Sequence, residues 1–176
     1  MTQITIPAIA EDGTLYPIEK MEAHRQGTLH IAISVFVFNA SGELLIQRRA
    51  DTKYHCGGLW ANTCCSHPHW DEDIAASAHR RMGEELGATL PLQPIGIVTY
   101  KADVGGGLTE HERVHMFTGT ADTANWQPKP NADEVAEVRW ISLPTLQHEI
   151  VDSPELFTPW FKLYVERWAD LWAPAA

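Results

Sequence analysis

The segment that decides the fold runs from Ser66 to Gly87 and reads SHPHWDEDIAASAHRRMGEELG. Asp71 is a candidate helix N-cap, and Gly87 can end a helix because glycine readily adopts the left-handed conformation. The segment therefore predicts a helix over residues 71–86. The apolar residues that recur at helical spacing, and that would form its buried face, are Ile74, Ala75, Ala78, Met82 and Leu86.

The same segment resembles the Nudix box, a pattern that holds acidic residues at fixed spacing on one helix. The spacing is met throughout, with two departures. Ser66 stands where the box begins with glycine, and Arg81 stands where its Arg-Glu pair has glutamate. The positions that match are Glu72, Arg80, the hydrophobic Met82, the pair Glu84-Glu85, and Gly87.

Arg81, Glu84 and Glu85 share one helix face because they lie three and four residues apart. Carboxylates on such a face suit Mg²⁺, a hard cation that often bridges protein oxygens to a diphosphate. The alternative is a solvated helix with Arg80–Glu84 and Arg81–Glu85 ion pairs. That alternative is the better interpretation of an isolated helix, whereas the full spacing favours the metal-binding one.

Around this helix the pattern of apolar and turn residues predicts an α+β fold, an α/β/α sandwich with a mixed β-sheet. No linker or repeat divides the chain, so residues 1–176 are expected to form one domain. Residues 50–71 are expected to be a functional loop. Strands are predicted at 3–9, 29–38, 44–49 (forming a hairpin with 29–38), 95–101, 113–119 and 138–141, and helices at 144–150 and 158–172, with 19–26 a short helix or loop.

Composition restricts the classes of partner. The net charge of −10 disfavours nucleic acid and anionic membranes, and the longest apolar stretch, 31–38, is far shorter than the roughly 20 residues of a membrane span. No signal peptide is visible at the N-terminus. Three cysteines, two of them adjacent, make a poor disulfide framework, which favours a reducing, cytoplasmic setting. Nine histidines suggest metal.

Two further clusters carry chemical groups. Cys65 precedes His67 by two residues and could be a nucleophile, a metal ligand or an acid/base, or simply a buried thiol. If this segment is extended, Cys64 points to the opposite side. Glu110 and Glu112 present two carboxylates on one face of a strand. Together with upstream imidazoles they would suit Zn²⁺ or Mn²⁺, although any single histidine is more often a surface or hydrogen-bonded residue.

The chain resembles type I isopentenyl-diphosphate isomerase over roughly residues 4–170, because the characteristic residues of that family occur here in the same order and at matching spacing. The Cys-Ser-His-Pro loop joined to a Nudix-like helix is much more specific than the helix alone. Cys56-Gly57 departs from relatives, which often carry an aromatic residue followed by proline there. The positions that carry the resemblance are Lys20, His24, His30, Arg48-Arg49, Lys53, 62–68, 85–87, Tyr100, Glu110, Glu112 and Pro159-Trp160.

The resemblance implies an enzyme of isoprenoid biosynthesis with isopentenyl diphosphate as substrate. Composition predicts no nucleic-acid or membrane partner, and the oligomeric state stays open, with a monomer as the expectation. Cys65 and Glu112 would act on opposite faces of the substrate, supported by Tyr100. Glu85 would hold Mg²⁺ together with the diphosphate. One Zn²⁺, Mn²⁺ or Mg²⁺ would bind His24, His30, His67, Glu110 and Glu112, while Lys20, Arg49, Lys53 and Arg81 would grip the diphosphate and Trp160 would pack near the hydrocarbon end.

Two rival hypotheses remain. A Nudix hydrolase would cleave a nucleoside diphosphate derivative with Mg²⁺ at Glu84 and Glu85, and one fold can host many reactions. A non-catalytic metal-binding module would keep the fold without activity. Arg81 and the otherwise unexplained Cys65-His67 and Glu110-Glu112 groups argue against the hydrolase. The presence of every catalytic position argues against the non-catalytic module.

Overall fold

A computed structural model describes residues 4–174 of the chain, and over this range the backbone forms nine strands and four α-helices. A single 3₁₀ turn, Pro154–Leu156, precedes the last helix. In chain order the elements are β1 Thr5–Ile9, β2 Leu15–Glu19, α1 Lys20–Gln26, β3 His30–Phe38, β4 Leu44–Arg49, β5 Trp60–Ala61, β6 Cys64–Ser66, α2 Ile74–Leu86, β7 Gln93–Gly105, β8 Leu108–Thr120, β9 Val135–Ile141, α3 Leu143–Asp152 and α4 Pro159–Trp172.

The central helix, α2, is confirmed, but its predicted start is wrong. Asp73, not Asp71, is the N-cap, and its carboxylate accepts from the backbone N–H of Ala76 at 2.8 Å. Asp71 lies in the left-handed region at φ 65°, so the chain turns there and enters the helix two residues later. Gly87 ends the helix as expected, at φ 62°, where a Cβ would lie 2.6 Å from the carbonyl oxygen of Lys129.

The strands form one mixed sheet with helices on both faces, which confirms the predicted sandwich. Strand β3 pairs with β8 in parallel and with its other neighbours antiparallel. Because side chains alternate along a strand, β3 serves two cores. Ile33, Val35 and Val37 pack with Met82 and Leu86 of α2. Ala32, Phe36 and Phe38 belong to the core on the other face, where Phe36 stacks on Trp172 of α4 at 4.8 Å.

The predicted hairpin of β3 and β4 is present, but these strands pair at only one position, Phe38 with Leu44. Beyond it they diverge. Each of them pairs with a short strand instead, β3 with β6 and β4 with β5. The gap between β3 and β4 therefore lies between these two short strands. Residues 50–71 are therefore not purely a loop. Strands β5 and β6 have only two and three residues, too few to show the alternation of apolar and polar residues that predicts a strand. Strand β2 was not predicted either.

The hairpin of β7 and β8 is much longer than predicted, with 13 residues in each strand. Pro94, Gly96 and several charged residues lower strand propensity at the ends, and pairing across the hairpin overrides them. Strand β1 begins at Thr5, and Gln3 of the predicted strand lies outside the described residues. Helices α3 and α4 begin within a residue of their predicted starts. Among residues 4–174, no helix is long and apolar enough to cross a membrane.

Candidate active site

Three histidines and one glutamate form a buried cluster where β3, β8, α1 and the segment after β6 meet. The potential ligand atoms of His24, His30, His67 and Glu112 all lie within 4.8 Å of one another. His30 opens β3 directly opposite Glu112 in the parallel pairing with β8, so the sheet register itself brings these two together. The Nε2 atoms of His30 and His67 are 3.1 Å apart, and His67 Nε2 lies 2.8 Å from Glu112 Oε1.

Backbone carbonyls orient two of these imidazoles. His24 Nδ1 lies 2.7 Å from the carbonyl oxygen of Lys20, and His30 Nδ1 lies 2.7 Å from that of Thr28. Each Nδ1–H therefore donates outward and leaves the Nε2 lone pair directed into the cluster. His24 Nε2 is buried and has no hydrogen-bond partner among the described residues. This arrangement is typical of metal-ligating histidines, and three nitrogens with one carboxylate oxygen fit a first-row divalent ion.

Glu110, the fifth expected ligand, lies outside this four-residue set. It belongs to an adjoining group with His24 and His55. Glu110 and Glu112 do share one face of β8, as predicted, but residues two apart along a strand are separated by roughly 6.6 Å. The phenol oxygen of Tyr100 on β7 joins them, at 2.7 Å from Glu110 Oε2 and 2.8 Å from Glu112 Oε2.

The two carboxylates differ in their pKa. Burial, and then the neighbouring charge of Glu112, raise the pKa of Glu110 well above its usual range. Burial also raises the pKa of Glu112, but hydrogen bonds from His30 and His67 outweigh it and hold that pKa well below its usual range. Glu110 therefore keeps its proton to higher pH than Glu112 does. Because Tyr100 has a single O–H, it accepts from one carboxyl group and donates to the other.

The adjacent thiols point to opposite sides of β6, as predicted. Cys65 lines a cavity that is also lined by His67 and Glu112. Its Sγ donates to Asn62 Oδ1 at 2.8 Å and lies 3.1 Å from Ser34 Oγ. Burial raises the pKa of Cys65 well above its usual value, so in this structure the group is a neutral thiol. Cys64 is fully buried in the core under α2, where it packs as a small apolar side chain.

The four cationic residues expected to bind diphosphate, Lys20, Arg49, Lys53 and Arg81, line the same cavity as Cys65, Glu85 and Glu112. Their convergence shows in Lys20, whose pKa is lowered to about 8 by burial and by the charges of the other three. Arg49 has no ion-pair partner among the described residues. Its guanidinium lies 5.3 Å over the ring of Trp160, which also lines the cavity, and donates to the carbonyl oxygen of His55 at 3.2 Å.

Carboxylates hold two of these cations in place. Arg81 donates to Glu84 and Glu85 at 2.6 Å each and to Glu134 at 3.2 Å, and Lys53 pairs with Glu134 at 2.6 Å. The predicted i, i+4 pair of Arg81 and Glu85 is therefore present on the box helix. Glu85 Oε2 also accepts from Gln47 at 2.8 Å, which fixes this carboxylate at the cavity wall.

Sequence reasoning missed two residues of the site. His55 lies in the loop after β4, is buried, and lies near Glu110. The sequence did offer a signal for it, because its imidazole is close to Lys53 in the predicted functional loop. Glu134 carried no motif, because it reaches the site only through the turn that begins at Asn131 and leads into β9. That contact depends on tertiary structure alone.

Comparison with known proteins gives one matching domain family and relatives that share one name. The NUDIX domain family matches residues 28–161. A Rhodobacter capsulatus protein named isopentenyl-diphosphate Delta-isomerase is 48% identical over 175 residues, covering 99% of this chain and 98% of its own. A Jannaschia protein of the same name is 51% identical over 161 residues, covering 91% of this chain and 90% of its own.

Solved structures share the fold at low sequence identity. A Deinococcus radiodurans crystal structure superposes with a TM-score of 0.71 at 16% identity, covering 93% of this chain and 98% of that one. A Burkholderia pseudomallei MutT NUDIX hydrolase superposes with a TM-score of 0.60 at 19% identity, covering 80% of this chain and 98% of that one. At these identities the likeness concerns the fold alone.

Proposed function

The chain belongs to the NUDIX domain family and, within it, groups with the isopentenyl-diphosphate Delta-isomerases, and from this premise we propose how its residues perform that isomerisation. The reaction is the 1,3-allylic rearrangement of isopentenyl diphosphate to dimethylallyl diphosphate. One proton is added at one end of the allylic unit and another is removed at the other end, so the overall composition does not change.

The observation that carries the proposal is one cavity lined both by groups that can transfer protons and by cations. Cys65, Tyr100 and Glu112 line it together with cationic side chains such as Arg49 and Lys53. A hydrocarbon tail would meet the thiol and the carboxylate while its diphosphate meets the cations. The chain has a net charge of −10, and it would bind an anionic substrate because its positive charge is concentrated locally in this cavity.

Cys65 and Glu112 are the proposed proton-transferring pair. An unactivated alkene is a weak base, and its protonation gives a tertiary carbocation, so the reaction needs an aimed acid and a site that excludes water. Glu112 is buried and Cys65 is partly buried, and Trp160, which is only 2% exposed, lines the cavity beside them. The forward and reverse reactions exchange the roles of acid and base. An aromatic face such as Trp160 would stabilise a cation by about 2 kcal/mol when desolvated.

Tyr100 is the proposed supporting group, because its single hydroxyl joins both carboxylates of β8. It can pass a proton between Glu110 and Glu112 without either side chain moving.

Two divalent ions belong to the proposal. His24, His30, His67 and Glu112, with Glu110 beside them, would hold Zn²⁺, Mn²⁺ or Mg²⁺, which when bound would orient the carboxylates and polarise an acidic proton. Glu85 would hold Mg²⁺ together with diphosphate oxygens, the usual ligands of that ion. Glu85 reaches the cavity wall with each oxygen accepting one hydrogen bond, so further lone pairs remain for an ion.

Hydrolysis of a nucleoside diphosphate derivative fits this site less well. Arg81 stands where the Nudix box has a glutamate, and it neutralises Glu84 and Glu85, the carboxylates that such a hydrolase would use for metal. Incubation of the purified protein with isopentenyl diphosphate, and separately with nucleoside diphosphate compounds, separates the activities. We expect an allylic product from the first and no released phosphate from the second. Phosphate release without allylic product would overturn the proposal.

A further inference from the structure

One serine interrupts the apolar run of β3, and it lies directly opposite the thiol proposed for proton transfer. The strand reads HIAISVFVF, all of its residues are buried, and Ser34 is the only polar side chain between His30 and Phe38. In the antiparallel pairing of β3 with β6, Ser34 is the partner of Cys65, so the two side chains lie on the same face of the sheet. A buried hydroxyl is costly unless it has hydrogen-bond partners, and this one has two.

The two partners of the Ser34 hydroxyl are Cys65 Sγ, 3.1 Å from Ser34 Oγ, and the phenol oxygen of Tyr164, 2.9 Å from it. Tyr164 is buried and lies on α4 one helical turn after Trp160. Burial raises the pKa of Tyr164 well above its usual range, so the phenol keeps its hydrogen. Neither Ser34 nor Tyr164 is among the residues that line the cavity, so the two hydroxyls lie behind Cys65 as seen from a bound substrate.

A count of hydrogens fixes the direction of these hydrogen bonds. The side-chain amide of Asn62 donates both of its hydrogens to backbone carbonyl oxygens of β3 and β6, at 3.1 and 3.3 Å. Asn62 Oδ1 therefore faces Cys65 and can only accept, so the single thiol hydrogen is donated to it at 2.8 Å. The sulfur has no second hydrogen for Ser34. The Ser34 O–H consequently donates to Sγ, and Ser34 Oγ accepts from the O–H of Tyr164.

Proton transfer by Cys65 leaves a negative charge on sulfur at one stage of the reaction. When the thiol protonates the alkene, the S–H bond breaks and a C–H bond forms; the substrate becomes a carbocation, and sulfur keeps the electron pair as a thiolate. The reverse transfer removes that charge. Asn62 loses its hydrogen bond when sulfur has no hydrogen, whereas Ser34 still donates to the sulfur, and a hydrogen bond to a charged atom is about twice as strong as a neutral one.

We propose that Ser34, backed by Tyr164, is a positioning residue for the isomerisation, which holds Cys65 Sγ in place and donates a hydrogen bond to it when sulfur is charged. This inference rests on the proposed function. Tyr164 contributes by donating to Ser34 Oγ, which orients the serine hydrogen toward sulfur.

The kinetic test compares Ser34→Ala, Tyr164→Phe and Ser34→Thr in the full chain by steady-state conversion of isopentenyl diphosphate. Ser34→Ala should lower kcat about 10- to 100-fold and leave KM within about twofold, because Ser34 acts through Cys65 and does not line the cavity. Tyr164→Phe should lower kcat about 2- to 10-fold, since Ser34 can still donate to sulfur. Ser34→Thr keeps a hydroxyl and should recover most of the kcat that Ser34→Ala loses.

Melting temperature separates this role from packing alone. Ser34→Ala leaves the buried Tyr164 hydroxyl unpaired and should melt earlier, and the double variant Ser34→Ala/Tyr164→Phe, which removes both hydroxyls, should recover much of that loss. Its kcat should stay as low as that of Ser34→Ala. A kcat that recovers together with the melting temperature would overturn the proposal, and so would a near-normal kcat in folded Ser34→Ala.

The matched control is Thr118→Val, which removes a hydroxyl that donates to the carbonyl oxygen of Phe36 on β3 at 3.1 Å. Its kcat should stay within about twofold of wild type. A loss equal to that of Ser34→Ala would overturn the proposal, because loss of any hydroxyl against β3 would then suffice.

The infrared S–H stretching band tests the same hydrogen bonds without turnover. The band of Cys65 is the one that disappears in Cys65→Ala, and it should shift in Ser34→Ala but not in Thr118→Val. A band that does not shift in Ser34→Ala would overturn the donation to sulfur. Absence of allylic product from wild type, with the shift present, would support the hydrogen-bonded arrangement and contradict the proposed isomerisation instead.

Discussion

Arg48 and Arg49 are neighbours on β4 with similar partial burial but opposite surroundings, and exchanging each for glutamine isolates the diphosphate contact. Arg49 faces the cavity, lies over Trp160 and has no ion pair among the described residues. Arg48 points to the other side of the strand, where it pairs with Glu137 at 3.2 Å and with Asp51 at 3.5 Å. Strand alternation alone separates their roles.

The magnitude follows from these contacts. A hydrogen bond to a charged group contributes about 1.5–3 kcal/mol, so losing one from Arg49 to a diphosphate should raise KM by about 10- to 150-fold. The contact is remote from the reacting carbons and equal in ground and transition states, so kcat should change little. Arg48→Gln loses only surface ion pairs of about 0–1 kcal/mol each, and its KM should stay within about twofold.

The assay is steady-state conversion of isopentenyl diphosphate by both variants beside wild type, with melting curves to confirm folding. An unchanged KM in Arg49→Gln would refute a diphosphate role for this residue. An equal rise in Arg48→Gln would show that loss of charge anywhere on β4 suffices, and the cavity argument would be wrong.

Three further predictions concern charge, packing and metal. Arg81→Glu restores the Nudix box but sets a new carboxylate against Glu85 and Glu134, so KM for isopentenyl diphosphate should rise, and an unchanged KM would count against Arg81. Cys64→Ala removes one fully buried atom, so the melting temperature should fall by about 2–4 °C, the equivalent of about 1 kcal/mol, with kcat nearly unchanged; a large loss of kcat would contradict its assignment to the core. Chelation of bound metal should lower the melting temperature, because an ion bound by His24, His30, His67 and Glu112 stabilises the folded state alone. Re-addition of Mn²⁺ or Zn²⁺ should restore the melting temperature, and this response should disappear in His24→Ala.

The parts of the structure that could be predicted from the sequence depend on spacing within one element. The helix around Met82 and the shared face of Glu110 and Glu112 follow from helical and strand periodicity, and both are observed. The start of the helix could not be predicted, because Asp71 and Asp73 are equally good caps and only the left-handed turn at Asp71 decides between them.

The candidate site was predictable only where a resemblance supplied the long-range contacts. Nothing local shows that His24 and His67, 43 positions apart in the sequence, have ring centroids 5.2 Å apart. His55 and Glu134 had no counterpart in the resemblance and were missed. The roles of Cys65, Glu112 and the four cationic residues stay predictions, since geometry brings them to one cavity without showing turnover.

The central claim, isomerisation with Cys65 in the proton-transferring pair, is tested most directly by the rate of Cys65→Ala on isopentenyl diphosphate. Product formation should be followed by proton NMR, with Cys64→Ala as the control because it removes the neighbouring thiol from the opposite face of β6. We expect Cys65→Ala to lose about 10²- to 10⁴-fold in kcat while retaining the wild-type melting temperature, since an acid or base is lost and the fold is not. A near-normal rate in Cys65→Ala would contradict the account.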